Sequence, residues 1–205
     1  MARGMLSLLA GVAAFALGAP AASATPAQIE FGGVTFNPND VTVDFVPGEN
    51  TFEWNRNDPN PEFHSITANG GSFGIGTGDF TDFDLRASAG TYPYYCELHG
   101  SGGEGPMAGQ VAVRPIAGEV GDDGFEVIWA HGSTETGGSF ATRWKKQGQN
   151  KWKTWQAFTE AKHKEFGQND KPTDVKPGKT YLIQVRSSGP GSSKWSPSLS
   201  VPVKP

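Results

Sequence analysis

Apolar and polar residues alternate in short stretches along the first half of the chain. This two-residue periodicity places successive side chains on opposite faces of a β-strand, so each stretch predicts a half-buried strand. The clearest stretches are Val41-x-Val43-x-Phe45, Phe52-x-Trp54, Phe83-x-Leu85 and Val111-x-Val113. Turn-forming pairs separate them, among them Pro47-Gly48, Asn69-Gly70 and Ala89-Gly90. Short strands with such turns predict a β-sandwich or a β-barrel.

The alternation restarts after Gly124. The stretches there are Phe125-x-Val127-x-Trp129, Phe140-x-x-x-Trp144, Trp152-x-x-Trp155, Tyr181-x-Ile183-x-Val185 and Leu199-x-Val201. The 28 Gly and 15 Pro among 205 residues also favour many short strands joined by turns. The chain is therefore predicted to be all-β, with a second group of short strands after the first.

The first 24 residues differ from those that follow. Arg3 precedes an apolar run from Met5 to Ala19, and Ala22-Ser23-Ala24 fits cleavage after a small residue. This is the three-part pattern of a secretory signal, and the run is short for a membrane-spanning helix. Residues 1–24 are predicted to be a signal peptide, and the protein to be secreted or periplasmic. No membrane span is expected after cleavage.

Charge divides the remaining chain into two parts. Residues 25–115 contain 3 Lys and Arg against 12 Asp and Glu, a net charge of −9. Residues 116–205 contain 13 Lys and Arg against 9 Asp and Glu, a net charge of +4. Such a change of composition is typical of a domain boundary. We expect one domain over residues 25–115 and another over residues 119–205.

The sequence contains one cysteine, Cys96. An exported protein with one cysteine cannot form an internal disulfide, and a free thiol outside the cell is open to oxidation. Cys96 is therefore expected either to be buried and inert or to bind a metal.

Further ligand-forming residues accompany Cys96. His99 and Met107 follow it in the same segment, and His64 lies directly before a predicted strand. A strand ending at Cys96, a tight loop and a return strand from Gln110 would direct the side chains of Cys96, His99 and Met107 to one point. Two imidazoles, a thiolate and a thioether suit copper in an electron-transfer site. Zinc also accepts Cys and two His, but the affinity order and the soft methionine sulfur favour copper.

The region from Phe36 to Val113 resembles the plastocyanin-like cupredoxins, which are blue-copper proteins. The matching pieces are Phe36-x-Pro38, Pro47-Gly48, Trp54-Asn55, Ala89-Gly90-Thr91-Tyr92, Tyr95-Cys96-x-x-His99 and Met107-x-Gly109-x-Val111-x-Val113. The resemblance implies a Greek-key β-sandwich that holds one type 1 copper ion. The implied ligands are His64, Cys96, His99 and Met107.

One feature departs from the family's pattern. Plastocyanin-like loops place the methionine closer to the histidine, whereas here Gly100-Ser101-Gly102-Gly103-Glu104-Gly105 lengthens the loop. Glu104 is therefore an alternative donor to the axial Met107. The small residues Gly100, Ser101, Gly102 and Gly103 are also expected to leave the edge of His99 uncovered for a partner protein.

Residues 119–205 are similar to a fibronectin type III domain, which is an immunoglobulin-like β-sandwich. The similarity rests on Trp129, on Lys176-Pro177-Gly178-Lys179-Thr180-Tyr181 and on Trp195-Ser196-Pro197. It implies that Tyr181 forms a tyrosine corner, with its hydroxyl bonded to the backbone upstream. We expect this domain to be a binding or spacing module.

A segment rich in Lys and Trp, RWKKQGQNKWKTWQAFTEAKHK, begins at Arg143. It admits two interpretations: a face that binds an acidic polymer or surface, or strands whose tryptophans are buried and whose lysines are only solvated. Because half of an exposed strand must face water, the second interpretation is favoured. His131 and His163, also in this half, have no Cys or second His beside them and are expected to be ordinary.

These features favour a one-electron carrier with a basic redox partner, since the first domain is acidic. Two alternatives remain: a protein that delivers copper between a donor and an acceptor, and a cell-surface binding protein in which the first domain is structural. A copper enzyme is disfavoured because a saturated site leaves no position for substrate, and 4 His are too few for a second copper centre. No catalytic residue and no nucleic-acid partner are expected.

Overall fold

The computed structural model describes residues 25–49, 51–58, 63–100, 105–131, 136, 138–167, 172, 175–188 and 192–205. These residues form strands and turns without a helix, so the predicted all-β fold class is confirmed. Within them, accordingly, no helix is long and apolar enough to cross a membrane. The predicted signal peptide, residues 1–24, and the alternative donor Glu104 lie outside the described residues.

The described residues form two successive groups of strands. The first nine strands, β1 to β9, are Ala27–Gly32, Thr35–Asn37, Asp40–Asp44, Phe52–Arg56, His64–Ala68, Gly74–Gly78, Asp82–Leu85, Gly90–Tyr95 and Ala108–Arg114. The next seven, β10 to β16, are Ile116–Val120, Gly124–Ile128, Ser139–Lys146, Lys153–Thr159, His163–Gly167, Thr180–Ser188 and Leu199–Pro202. We refer to β1–β9 as the N-terminal sandwich and to β10–β16 as the C-terminal sandwich.

The N-terminal sandwich consists of two sheets, with strand orders β2-β1-β4-β7 and β3-β9-β8-β5-β6. The pairs β1/β4 and β3/β9 are parallel, whereas the other described pairs are antiparallel. The chain passes from one sheet to the other between β2 and β3, which are separated only by Pro38 and Asn39. It crosses again between β3 and β4, between β4 and β5, between β6 and β7 and between β7 and β8, as Greek-key connections do.

Inward-facing apolar residues of both sheets form one hydrophobic core. Trp54 is fully buried, and its ring contacts the rings of Phe73 and Tyr94 at centroid distances of 5.9 and 5.3 Å. Cys96 and Met107 belong to the same core. The predicted ligand loop therefore leaves the core at one residue and returns to it at the other.

The C-terminal sandwich consists of two antiparallel sheets, β10-β11-β14 and β13-β12-β15-β16. This arrangement belongs to the immunoglobulin-like class of sandwiches, which includes fibronectin type III domains. The predicted tyrosine corner is confirmed, since the Tyr181 hydroxyl accepts a hydrogen bond of 2.9 Å from the Lys176 N–H. The predicted burial of Trp144 and Trp155 is also confirmed.

The two sandwiches contact each other along β8. Thr91 and Lys194 exchange two backbone hydrogen bonds of 3.1 and 2.9 Å, and the Ala89 N–H donates to the Trp129 carbonyl at 2.7 Å. The buried Ser88 hydroxyl adds hydrogen bonds toward both sandwiches. Strand β8 and the two residues before it therefore carry one contact between the sandwiches, and β8 also leads to the predicted ligand loop.

Candidate metal centre

His64 begins β5 and is almost fully buried, with a relative exposure of 1%. Its ring lies edge-on to the Phe31 ring, with centroids 5.6 Å apart, and beside the His99 ring at 5.2 Å. Strand β5 is the neighbour of β8, the strand that ends just before Cys96. Sheet pairing thus brings together two candidate ligands that are distant in sequence.

Cys96 directly follows β8 and is fully buried. Its carbonyl accepts hydrogen bonds from the N–H groups of His99 at 3.3 Å and Gly100 at 2.7 Å. These bonds fold the segment into a tight turn that returns the His99 ring toward Cys96. As a result, Nδ1 of His99 lies 3.5 Å from Sγ of Cys96.

The structure brings three of the four predicted ligands to one point. One ligand atom from each of His64, Cys96 and His99 lies within 4.8 Å of the other two. A metal held about 2.0 Å from an imidazole nitrogen and about 2.3 Å from a thiolate sulfur separates those atoms by about 3.5–4 Å. The 3.5 Å between Sγ and Nδ1 fits such an ion. Two imidazole nitrogens and one sulfur form a donor set that both copper and zinc accept.

Met107 lies next to this cluster along the sheet. It is fully buried, and its carbonyl accepts the Cys96 N–H at 3.0 Å. It directly precedes β9, the strand that pairs with β8. Its role as an axial ligand stays a prediction, as does the alternative role of Glu104.

Sequence reasoning missed Ser65, which connects the two ligand segments. Its backbone N–H donates to Sγ of Cys96 at 3.3 Å, and its hydroxyl accepts the Glu97 N–H at 2.7 Å. Hydrogen bonds to a coordinating sulfur tune the redox potential of the metal. No residue type marks such a contact in a sequence, because every residue except proline carries the backbone N–H group.

Exposed apolar side chains precede two of the candidate ligands. Phe63, which precedes His64, is 60% exposed, and Leu98, which precedes His99, is 56% exposed. His99 itself is half-buried, whereas His64 and Cys96 are buried. The cluster therefore comes closest to solvent at His99.

The expectation that Gly100 belongs to an uncovered rim is wrong, because Gly100 is buried. A Cβ atom at this position would collide with the Met107 carbonyl and lie 3.4 Å from the Cys96 carbonyl. Glycine is needed here because two arms of the ligand loop pass each other closely. The other residues expected at the rim, Ser101, Gly102 and Gly103, lie outside the described residues.

Acidic residues share the outer face of the sheet β2-β1-β4-β7. Glu53 and Asp84 are directly paired across β4 and β7, and Asp82 lies two residues away on β7. Desolvation, followed by the charges of Glu53 and Asp82, raises the pKa of Asp84. Part of the negative charge of residues 25–115 is therefore concentrated on this face.

The other two histidines have local partners away from the cluster. Nδ1 of His131 accepts the Gly48 N–H at 2.6 Å, and its ring packs against Phe45 at a centroid distance of 4.6 Å. This contact joins the two sandwiches. His163 begins β14, with Nδ1 2.7 Å from a carboxylate oxygen of Glu126.

No protein-family model matches the chain, and neither does any curated protein. Among solved structures, the chain is similar to one described as a myokine structure, with 15% identity over 44% of this chain and 93% of that one, at a TM-score of 0.35. It is similar to a fibronectin type III domain of the human KIAA0970 protein, with 13% identity over 44% of this chain and 70% of that one, at 0.33. It is also similar to the chicken CNTN1 FN1–FN3 domains, with 13% identity over 70% of this chain and 56% of that one, at a TM-score of 0.35. The C-terminal sandwich is therefore assigned from its own strand order and tyrosine corner, since TM-scores this low carry no weight.

Proposed function

We propose that this chain is an exported blue-copper protein that carries single electrons between redox partners through a type 1 site. The observation that carries the proposal is the convergence of His64, Cys96 and His99, whose ligand atoms lie within 4.8 Å of one another. Met107 is proposed as the axial donor. Bound copper would supply the one-electron chemistry of such a site.

The position of these residues in the fold supports a cupredoxin-like domain over residues 25–115. The proposed ligands come from the start of β5, from the turn after β8 and from the segment before β9, and these strands are neighbours in one sheet. Sites built on strands are held more precisely than sites built on loops alone. A donor set fixed in this way favours electron transfer, because the ligands need to move little when the charge of the ion changes.

The surroundings of His99 supply a route for electrons. His99 is half-buried, whereas His64 and Cys96 are buried, so a partner approaches the metal most closely at His99. The exposed Phe63 and Leu98 offer a surface that is cheap to desolvate when a partner binds. The acidic outer face of the sheet β2-β1-β4-β7 favours a basic partner and association that slows with added salt.

The visible absorption spectrum of the copper-loaded mature protein tests the proposal. A Cu(II)–thiolate bond predicts an intense blue or green colour at one copper per chain, and Cys96→Ser should lose the colour while far-ultraviolet circular dichroism is unchanged. His163→Gln is the matched control, since it removes a histidine outside the cluster and should leave the colour intact. A colourless copper complex of the unmutated protein would contradict the type 1 assignment.

The axial donor is tested separately. Met107→Leu nearly conserves volume in the core, so the protein should stay folded and coloured while its reduction potential rises. Glu104→Gln should leave the potential unchanged. The opposite pattern would make Glu104 the axial donor.

Copper retention separates an electron carrier from a copper-delivery protein. A carrier should keep copper in both oxidation states in the presence of a chelator and should show measurable electron self-exchange. Ready release of copper on reduction, together with negligible self-exchange, would favour delivery instead.

A further inference from the structure

A cationic cavity lies on the outer face of the sheet β13-β12-β15-β16. Its volume is about 340 Å³, and its lining includes Arg143, Lys153, Arg186, Trp152 and Trp195. The described lining residues include no carboxylate. A cavity of this size is large enough for a small ligand or one unit of a polymer.

Cations and indole rings alternate along this face. The Arg143 guanidinium lies over the Trp152 ring at 4.7 Å and over the Trp195 ring at 4.2 Å. Lys145 also lies over Trp152, at 4.9 Å, and Arg186 over Trp195, at 4.7 Å. We use the name cation row for the three cations together with the two indoles between them: Lys145, Trp152, Arg143, Trp195 and Arg186. Each indole is shared by two cations, and this stacking holds the long charged side chains in place.

The charge of the cation row is not neutralised by a carboxylate in the part of the chain that the structure describes. Arg143 donates two hydrogen bonds, of 2.8 and 2.6 Å, to the side-chain oxygen of Gln184, which is neutral. Burial, followed by the charge of Arg186, lowers the pKa of the Arg143 guanidinium. Two guanidinium groups held close together without a counter-charge favour the binding of an anion.

We propose that the cation row and its cavity bind an acidic polysaccharide whose sugar rings carry carboxylates. The fork of a guanidinium group matches the two oxygens of a carboxylate. Thr154 and Gln156 line the same cavity and offer a hydroxyl and an amide to sugar hydroxyls. Trp152 and Trp195 are half-buried, so part of each indole stays available to the apolar side of a sugar ring.

The extent of the cation row favours a polymer over a single sugar. Lys145 belongs to the row but lies beyond the cavity lining, so the row is longer than the cavity. A chain with a carboxylate on each ring can contact several of these cations at once, and linked contacts strengthen one another. The site lies outside the candidate metal centre, so its occupancy is independent of copper.

Titration calorimetry of the full mature chain with oligogalacturonate tests this proposal. We expect binding that weakens with added salt and is equal for metal-free and copper-loaded protein. Fully methyl-esterified oligogalacturonate, which has the same rings without the charge, should not bind. Poly-L-glutamate, which has the charge without the rings, should bind at least about tenfold more weakly, since charge alone reproduces only part of the contact.

A matched pair of variants locates the site. Arg186→Gln removes one exposed cation from the row, whereas Lys179→Gln removes one exposed cation from the turn before β15. Arg186→Gln should weaken oligogalacturonate binding about tenfold, the range expected for a charge-assisted contact, with unchanged circular dichroism. Lys179→Gln should leave binding nearly unchanged. Absence of binding, equal binding of poly-L-glutamate, or equal losses in the two variants would each overturn the proposal.

Discussion

The two sandwiches bury similar aromatic cores but place their chemically distinctive residues in opposite environments. In the N-terminal sandwich, His64 and Cys96 are drawn into the interior at neighbouring strands. In the C-terminal sandwich, Arg143 and Arg186 stay on the outer face, stacked on indole rings. Buried polar groups need compensation from a partner, whereas stacked surface cations keep contact with water. The first arrangement therefore favours a metal ion, and the second favours a large ligand at the surface.

The same contrast extends to stability. The C-terminal sandwich is completed by its own hydrogen bonds, such as the tyrosine corner at Tyr181. The N-terminal sandwich places two imidazoles and a sulfur together, and a bound metal would add its binding free energy to the folded state. Metal loading should therefore distinguish the two sandwiches in an unfolding experiment.

The largest expected effects come from removing one core aromatic from each sandwich. Trp54→Ala and Phe166→Ala each remove a fully buried ring, which costs about 3–5 kcal/mol. Copper should restore much of the lost stability in Trp54→Ala, because it binds only the folded N-terminal sandwich, and little in Phe166→Ala. Calorimetric unfolding of each variant, metal-free and copper-loaded, checks this. Equal rescue of both variants would mean that the sandwiches unfold as one unit.

A second substitution tests how tightly the ligand loop is packed. A methyl group at Gly100 collides with the Met107 carbonyl, so Gly100→Ala should cost about 1–3 kcal/mol and shift the copper absorption band. Gly148→Ala is the control in the other sandwich. Gly148 has a φ of 83° with open space around it, so its substitution costs about 1–2 kcal/mol through the backbone alone. An unchanged copper spectrum in Gly100→Ala would show that the loop can shift to accommodate the methyl group without moving the copper ligands.

Much of the fold was predictable because alternation is a local property of the sequence. Val111-x-Val113 and Tyr181-x-Ile183-x-Val185, for example, lie in β9 and β15 with their apolar residues buried. The three clustered ligands were predictable for a different reason. Few residue types bind metals, and Cys96 and His99 are close enough in sequence for one turn to join them.

The features that were missed depend on where distant backbones meet. The Ser65 N–H reaches Sγ only through the pairing of β5 with β8. Gly100 looked like one of several loop glycines, and its burial follows from the passage of the Met107 segment beside it. The position of Arg143 between Trp152 and Trp195 was also not predicted, because this stacking requires a fold to bring the two rings together.

A smaller effect is expected at the tyrosine corner. Tyr181→Phe leaves the Lys176 N–H without the acceptor it has at 2.9 Å, which costs about 1–3 kcal/mol. Lys176→Ala should cost much less, since it keeps the backbone N–H that makes the bond. Urea unfolding of both variants measures the difference. Copper absorption should be unchanged in both, and a changed spectrum would show that the C-terminal sandwich shapes the metal centre.

The smallest expected effect concerns pH and the contact between the sandwiches. Burial, followed by the charge of Arg86, lowers the pKa of His131 from its ordinary value of 6.5. Neutral His131 accepts the Gly48 N–H at 2.6 Å, and a proton on that Nδ1 would remove the acceptor. Because the unfolded chain binds the proton more readily than the folded one, this contribution to stability is complete above the unfolded pKa. It is lost as the pH falls through 6.5 toward the lower folded value.

His131→Asn isolates this contribution, because the asparagine side chain retains an acceptor oxygen but does not titrate. Urea unfolding of the metal-free protein at about pH 8 and about pH 5 should show that acidification destabilises the wild type more than the variant. Carboxylates titrate in both proteins, so their effects cancel in this difference. Metal-free protein is required because protonation of the candidate ligands would otherwise release copper over the same range. If wild type and variant lose the same stability on acidification, the contact between the sandwiches does not depend on the charge of His131, and His131 is then only a packing residue beside Phe45.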